Sequence, residues 1–547
     1  MQLLPGTYPV FGNIRSRISQ LDPWQLTVIC ALLLTAGYNQ ALFSSMAQIG
    51  GYRVFVRMAV LLFMLNLLLC QLGGLGKGQK LWLSLLISIS AGCQYFMLNY
   101  GALIDKNMLL NALETDASEV QGLLSVQMIP YFLVYLLLPV TILSKAPVAY
   151  VRKTRKMLWY SLSLVTTLTI MLILIATQYQ SYASIFRAHR FIKHQTLPLS
   201  ALTATAGLLS LNAVSARSYE PYATDATQQL AAGSKPRLVI FVLGETVRAD
   251  HLGINGYARN TTPRLAKRQL INLGAISACG TATALSVPCL FSHLTKDKYD
   301  EDIAKNSDNF LDVLQRAGIK VYWRNNNSGC KTMCNRVEQD NQFAADSRYH
   351  CADGSCPDLA LLHGLKQRIP QQNNAQQSVL LVLHQQGNHG PEYYKRSLPE
   401  HKVFMPECRT NLLNECDSNQ IINAYDNAIV STDLLLDETI SLLDTYSSEY
   451  DTALVYLSDH GESLGEKGVY LHGLPYWMAP SAQTQVPLFF WLSDNLQQRL
   501  KANPDCITQK DNVSHDHIFD TMLALFAVNT SQARTELNLL WGCSNAS

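Results

Sequence analysis

Five stretches in the first third of this 547-residue chain carry no charged side chain for long enough to cross a bilayer: Trp24 to Tyr52, Met58 to Gly76, Leu81 to Ile104, Val120 to Ser144 and Met157 to Thr177. Each exceeds the roughly 18 apolar residues that a spanning helix needs. Hydrocarbon offers no partner to a backbone N–H or C=O, so runs of this length are expected as α-helices. The first run is read as an anchor and not as a removable signal. It is too long, no Ala-x-Ala pattern follows it, and four further spans would remain.

Lysine and arginine in short loops mark the cytoplasmic side. Arg15 and Arg17 precede the first run, Lys77 and Lys80 lie between the second and third, and Lys145, Arg152, Lys153, Arg155 and Lys156 lie between the fourth and fifth. The loop after the third run is acidic instead, with Asp105, Glu114, Asp116 and Glu119 against Lys106; Arg53 and Arg57 run against the trend. Five spans with the amino terminus inside place everything beyond Thr177 outside the cytoplasm.

Cysteine usage tests that placement independently, because disulfides persist only where the compartment is oxidising. Of 13 cysteines, Cys30, Cys70 and Cys93 fall within apolar runs, where a thiol is ordinary packing. The other ten fall as neighbours: Cys279 with Cys289, Cys330 with Cys334, Cys351 with Cys356, Cys408 with Cys416, and Cys506 with Cys543. Their spacings are not those of paired CxxC units, which argues for disulfides over structural zinc, although spacing alone does not prove connectivity. The periplasm of a Gram-negative bacterium is the compartment that fits. A net charge of +2 supplies no field for nucleic acid, and no basic stripe with interleaved aromatics is present.

Residues 1–177 are therefore read as a five-helix transmembrane domain, 178–236 as bridging helices and linker, and 237–547 as a periplasmic catalytic domain. Within the bridge, Ile185 to Lys193 reads as a short amphipathic piece suited to an anionic lipid surface or to a solvated connector helix. Ser218 to Ser234 reads as a flexible tether. From Arg237 onward, apolar strands near Leu238 to Leu243, Ile319 to Trp323, Val379 to Leu383, Ala453 to Leu457 and Leu488 to Leu492 alternate with helical patterns such as Asn309 to Ala317 and Asn419 to Thr445. That alternation predicts an α/β domain with a largely parallel sheet covered on both faces. Ligands then belong at the carboxyl ends of the strands.

Glu245 follows the first of these strands, and Asp459 with His460 follows the fourth. Two carboxylates and an imidazole suit tetrahedral zinc with one open position. A threonine hydroxyl can fill that position and be activated there, since the cation stabilises the alkoxide. Thr283, in the cysteine-flanked segment Cys279-Gly-Thr-Ala-Thr283-Ala-Leu-Ser-Val-Pro-Cys289, is the expected nucleophile, with Thr281 its local rival. One zinc is expected; His389 and His472 read as ligands of a second zinc, as acids that protonate a departing alkoxide, or as ordinary hydrogen-bonded histidines. Asn327 and Lys331 follow the second strand, where an amide and an ammonium can orient and neutralise a phosphate; a solvated turn is the plain alternative. Asn111, Thr115 and Glu119 recur every four residues, on one helix face. They read either as a grip on an ammonium headgroup or as a polar face beside water.

Taken in order, Gly244-Glu-Thr-Val-Arg-Ala-Asp250, Asn255-Gly-Tyr257, Cys279 through Cys289, Trp323-Arg-Asn-Asn-Asn327, His389-Gly-Pro391, Tyr456-Leu-Ser-Asp-His-Gly-Glu-Ser463 and Tyr470-Leu-His-Gly-Leu-Pro475 resemble the lipid A phosphoethanolamine transferases. These are the chromosomal and mobile colistin-resistance enzymes of Gram-negative bacteria, and the likeness covers nearly the whole length. The resemblance implies an extramembrane domain of the alkaline phosphatase and sulfatase superfamily, anchored in the inner membrane. It implies zinc held by Glu245, Thr283, Asp459 and His460, and a phosphothreonine-type intermediate on Thr283. It assigns Asn111, Thr115, Glu119, Asn327, Lys331, His389 and His472 to headgroup or secondary zinc binding. Phosphatidylethanolamine would be the donor and a lipid A phosphate the acceptor, with polymyxin resistance as the outcome, in a monomer bound to membrane lipids. A core-oligosaccharide or glycan acceptor, and a catalytically silent membrane-anchored binding protein, are the competing readings. A sulfatase activity is disfavoured, because Thr283 cannot mature to formylglycine.

Overall fold

The computed structural model describes residues 21–49, 52–73, 78–115, 117–149, 153–214, 218–340, 351, 356–370 and 377–543. Two compact units emerge, one from residues 1–94 with 129–199 and the other from 95–128 with 200–547.

The first unit is helical. It opens with α1 (Pro23–Gly37), α2 (Gln40–Ile49) and α3 (Tyr52–Leu72), followed by α4 (Gln79–Tyr100), whose last turns pass into the second unit. Two short helices of the second unit come next, α5 (Lys106–Glu114) and α6 (Ala117–Leu123). The chain then continues through α7 (Met128–Phe132), a π-helical turn at Leu133–Leu137, α8 (Leu138–Lys145), α9 (Lys153–Ala188) and α10 (Ile192–Gln195). Among the described residues, four helical stretches are long and apolar enough to cross a membrane: Val54–Leu72, Gln79–Tyr100, Met128–Lys145 and Tyr160–Tyr179. The pair α1 and α2 makes a fifth if its halves form one span.

That first expected run is not one straight helix, because α1 and α2 meet at 57°. Gly37 and Asn39 at the break are weak helix formers. Asn39 also satisfies the backbone groups that the break releases. Its Nδ2 donates to the carbonyls of Leu34 and Leu197, and its Oδ1 accepts from the Leu197 N–H. Elsewhere the helices are tied by polar pairs in apolar surroundings, Asn66 Nδ2 to Thr35 Oγ at 3.1 Å and Gln71 Nε2 to Thr167 Oγ at 3.1 Å. The long α9 is interrupted at Gln178, whose φ of −121° and ψ of 16° are not helical.

In the second unit α11 (Leu199–Val214) leads into an α/β domain. Its strands are β1 (Thr227–Gln228), β2 (Arg237–Gly244), β3 (Ile271–Ser277), β4 (Lys320–Asn325), β5 (Glu338–Gln339), β6 (Val379–His384), β7 (Asp451–Ser458), β8 (Ser463–Leu464), β9 (Tyr470–Leu471), β10 (Gln485–Leu492) and β11 (Val528–Asn529). Seven of them form one sheet in the order β3-β10-β7-β2-β6-β4-β5. β7, β2, β6, β4 and β5 run parallel, and β10 is antiparallel to both its neighbours. The five expected strands are present as β2, β4, β6, β7 and β10. β3 carries no continuous apolar run because it is an edge strand and only Ile271 and Ile276 are buried.

Both faces of the sheet are covered, which the period-2 alternation of side chains makes visible along β2. Val239, Phe241 and Leu243 pack in one core with α12 (Thr283–Phe291) and, past the short α13 (Glu301–Lys305), α14 (Phe310–Arg316). Leu238, Ile240 and Val242 pack in the other with α15 (Ser418–Asp444). Residues 218–234, read as a tether from composition, are hydrogen-bonded to this domain: Glu220 N–H donates to Asn306 O, Tyr222 N–H to Asp308 Oδ2 and Gln229 N–H to Ala527 O.

Candidate active site

Sheet register decides which residues meet. Gly244 of β2 stands opposite Ser458 of β7, Leu243 stands opposite His384 of β6, and Asn325 of β4 also stands opposite His384. Four parallel strands therefore end at one level, and the residues beyond them, Glu245, Asp459, His460 and Asn327, emerge on one rim. The Asp459 N–H donates to Gly244 O, carrying the register one residue past the sheet.

The turn after β2 is strained. Thr246 has φ +56°, a left-handed conformation that a non-glycine residue holds only when its surroundings over-determine it. Three contacts do so. Thr246 N–H donates to Asp459 Oδ1, Val247 N–H donates to Ser458 Oγ, and Tyr425 Oη–H donates to Thr246 O.

Glu245, Asp459 and His460 are fully buried, and one ligand atom from each lies within 4.8 Å of the others. His460 Nε2 is 3.4 Å from Glu245 Oε1 and 3.3 Å from Asp459 Oδ2. His460 Nδ1 lies 3.0 Å from the Gly461 carbonyl, which assigns the proton to Nδ1 and turns the Nε2 lone pair toward the two carboxylates. Burial pushes the imidazole pKa down, so the ring is neutral as a metal ligand must be. Asp459 Oδ1 accepts two backbone N–H bonds, but the buried Oδ2 accepts none among the described residues. An orphaned buried carboxylate oxygen between a second carboxylate and a lone pair is costly unless a cation neutralises it, so these residues fit a divalent metal ion.

Thr283 belongs to the same cluster. Its Oγ is 3.1 Å and 3.3 Å from the two Glu245 oxygens and 3.3 Å from His460 Nε2. It is the first residue of α12, where free backbone N–H groups favour an anion. Its rival Thr281 donates its hydroxyl to Leu474 O at 2.6 Å. The structure thus brings Thr283, and not Thr281, to the carboxylates. The segment is bridged by Cys279–Cys289, and the remaining pairs are Cys330–Cys334, Cys351–Cys356, Cys408–Cys416 and Cys506–Cys543.

The other expected residues distribute unevenly around this cluster. The His472 ring is tilted against that of His460 with centroids 4.4 Å apart, and the His389 ring lies 5.2 Å from His472. Burial, then the cationic forms of His472 and Arg396, holds His389 well below the ordinary histidine range. Asn327 turns its amide to the carboxylate cluster itself, donating to Glu245 Oε2 at 2.8 Å and to Gln385 O at 2.7 Å, so both its N–H donors are used within the protein. Lys331, with φ +49°, reaches Glu114 O and both oxygens of Ser328, each at 3.2 Å. Asn111 on α5 helps wall a cavity of about 50 Å³ beside Thr281, Ala282 and Leu285. Thr115 donates its hydroxyl back to Asn111 O at 2.7 Å. The side chain of Glu119 lies outside the described residues.

Sequence reasoning missed Glu462, Ser286 and His515, which shape this site together with His384 at the end of β6. Glu462, fully buried, accepts from Tyr393 Oη–H at 2.7 Å and pairs with His472 Nδ1 at 2.8 Å, fixing which imidazole nitrogen faces the cluster. Ser286 Oγ–H donates to Asp459 O. His384 has its Nε2 4.0 Å from Glu245 Oε2 and its Nδ1 on Asn325 Oδ1 at 2.8 Å, and burial lowers its pKa to about 3. His515 accepts the Cys279 N–H at Nδ1 and donates from Nε2 to Ser458 O, joining the threonine segment to the strand that carries Asp459. The Asp-His-Gly-Glu run signals Glu462. Nothing adjacent in sequence signals His515, which lies more than 50 residues beyond Asp459.

Comparison with known proteins adds an independent line. The family profile described as Sulfatase matches residues 237–528, and the one described as Phosphoethanolamine transferase EptA/EptB matches 61–213. The chain is similar to phosphoethanolamine transferase EptA of Escherichia coli strain K12, at 35% identity over 548 residues, covering 95% of this chain and 98% of that one. It is similar to phosphatidylethanolamine transferase Mcr-1 of Escherichia coli at 36% identity over 531 residues, covering 94% and 96% of the two chains. Among solved structures, the integral membrane lipooligosaccharide phosphoethanolamine transferase A of Neisseria meningitidis superposes with a TM-score of 0.91 at 32% identity, over 95% of this chain and 99% of that one.

Proposed function

This chain belongs to the phosphoethanolamine transferase family and is a multi-pass membrane enzyme, and we propose that it moves phosphoethanolamine from phosphatidylethanolamine to a lipid A phosphate through a covalent intermediate on Thr283. The observation that carries this reading is the position of Thr283 Oγ, at the start of a helix and within 3.3 Å of both Glu245 oxygens and His460 Nε2.

Glu245, Asp459, His460 and Thr283 would hold zinc, which when bound supplies positive charge that favours the ionised threonine and offsets charge on the phosphoryl oxygens. The chain's own groups supply the rest. Thr283 Oγ attacks phosphorus, the bond to the diacylglycerol oxygen breaks, and the hydroxyl proton of Thr283 finishes on diacylglycerol. His472 is oriented by Glu462 and stands with His389 beside the cluster, placed to pass that proton or to hold a second ion. The N–H groups at the start of α12 face the phosphoryl oxygens. An acceptor phosphate oxygen then attacks the same phosphorus, the bond to Thr283 breaks, and Oγ regains a proton. Asn327 keeps Glu245 in place during both steps.

The apolar helices would sit in the inner membrane with the α/β domain in the periplasm, as a monomer. Adding an ammonium to a lipid A phosphate lowers surface negative charge, so cationic polymyxins should bind less well. Mass spectrometry of lipid A and core oligosaccharide from an expressing strain tests the assignment. Phosphoethanolamine on a lipid A phosphate, lost in Thr283→Ala, is the expected result. Addition only to core sugars would move the acceptor, and unmodified lipid A with unchanged polymyxin susceptibility would refute the reading.

A further inference from the structure

Lys331 has three N–H donors, and the structure uses all three within the protein, on Glu114 O, Ser328 O and Ser328 Oγ. Its side chain is only 5% exposed. A phosphate can engage this ammonium only if one of those bonds is released, and the bond that ties α5 to the loop after β4 is the one to Glu114 O. Something else must then keep α5 in place.

The Glu114 side chain answers that requirement. Its Oε1 lies 3.3 Å from Lys305 Nζ, the last residue of α13, and Lys305 is itself held by Glu301 Oε1 at 2.9 Å. Its Oε2 lies 3.8 Å from Lys331 Nζ and is buried without a hydrogen bond among the described residues. One carboxylate at the end of α5 is thus shared between a lysine that is already balanced by a second acid and a lysine that stands by the site. Asn111 lies one turn back on the same helix, and Thr115 follows Glu114 directly.

We propose that Glu114 and Lys305 form an anchor that fixes α5 against the catalytic domain, so that Lys331 is free to exchange its bond to Glu114 O for the phosphate of the donor headgroup. Glu114 is a positioning residue in this scheme, since it acts through Asn111, Thr115 and Lys331. The proposal rests on the assignment of phosphatidylethanolamine as donor for the role of Lys331, but the anchoring itself does not.

The test uses the full-length enzyme in detergent micelles, with a fluorescent phosphatidylethanolamine as donor, and hydrogen exchange of residues 106–115 as a second readout. Glu114→Gln and Lys305→Met should each raise the donor KM about three- to fivefold with kcat nearly unchanged, the size expected for a partly buried ion pair that keeps contact with solvent. Each should also speed exchange in α5 without altering zinc content. The double variant Glu114→Lys with Lys305→Glu restores opposite charge, though it places a lysine beside Lys331, and should recover most of the KM and of the exchange protection lost in Glu114→Lys alone. Unchanged exchange in both single variants, a fall in kcat at constant KM, or no recovery in the charge swap would overturn the proposal. Should the wild type fail to transfer phosphoethanolamine while α5 still loosens in the variants, the anchor stands and the functional assignment falls.

Discussion

The strand-end rim and the α5 segment present polar side chains in the same domain by different physical means. Glu245, Asp459 and His460 are set by the backbone register of four parallel strands, and all three are fully buried. Asn111 sits on a nine-residue helix with no fully buried residue, whose end is held by ion pairs of Lys305 and Lys331 with Glu114; Thr115 is the extended residue just past that end, so the expected single helix face through Asn111, Thr115 and Glu119 is broken there. Sheet hydrogen bonds act cooperatively and exclude water, whereas an ion pair that keeps contact with solvent contributes about 1 kcal/mol or less. The rim therefore holds its side chains at fixed distance from one another, and α5 is the more adaptable of the two.

Changes at the rim should cost most. Thr283→Ala is expected to lower turnover by at least about a thousandfold with thermal stability near wild type, because it removes the attacking oxygen and one proposed zinc ligand but leaves the triad Glu245, Asp459 and His460 to retain the ion. Glu245→Ala should lose both zinc, measured by elemental analysis, and turnover. Retained turnover in Thr283→Ala would remove the nucleophile from the rim.

His515→Phe sharpens the comparison, since it leaves every ligand intact and breaks only the link between Cys279 N–H and Ser458 O. A displaced nucleophile should cost about ten- to a hundredfold in kcat with little change in KM or zinc content. A wild-type kcat would mean that the disulfide alone positions the threonine segment.

Asn111→Ala probes the adaptable region and should raise the donor KM about fivefold with kcat within about twofold of wild type. A large loss of kcat there would erase the distinction between rim and α5.

The smallest expected effect lies away from both. Asp433 is buried in α15, accepts the N–H groups of Arg264 and Leu265, and burial raises its pKa to about 6. A carboxyl whose folded pKa exceeds its unfolded value contributes stability that is fully present below about pH 4 and is lost as pH rises through about 6. The melting temperature of the wild type should accordingly fall by a few degrees across that window relative to Asp433→Asn. Parallel profiles would show that the capping bonds offset the burial.

Legibility in the sequence followed how local each determinant is. Glu245 and Asp459-His460 could be found because each directly follows a continuous apolar run, and a buried parallel strand needs such a run. The edge strand β3 lacks one and so carries no such signal. Asn327 and Lys331 follow β4 as loop residues, but which partners their donors take depends on Glu245, Gln385 and Glu114, all distant in sequence. The break between α1 and α2 shows the same limit, since an apolar run looks continuous whether or not Asn39 finds Leu197.

By itself the sequence determined the composition of the molecule: apolar helices long enough for a bilayer, a strand-and-helix domain, ten cysteines outside the apolar runs, and metal-ligand residue types at strand ends. Periodicity and run length encode these properties locally, and no long-range contact is needed to read them. Only the tertiary structure decided that Thr283 rather than Thr281 meets the carboxylates, that His515 and Glu462 brace the site, and that Lys331 spends its donors on Glu114 and Ser328. Those outcomes depend on which hydrogen-bonding groups packing brings within about 3 Å of one another, and sequence spacing carries no such distance.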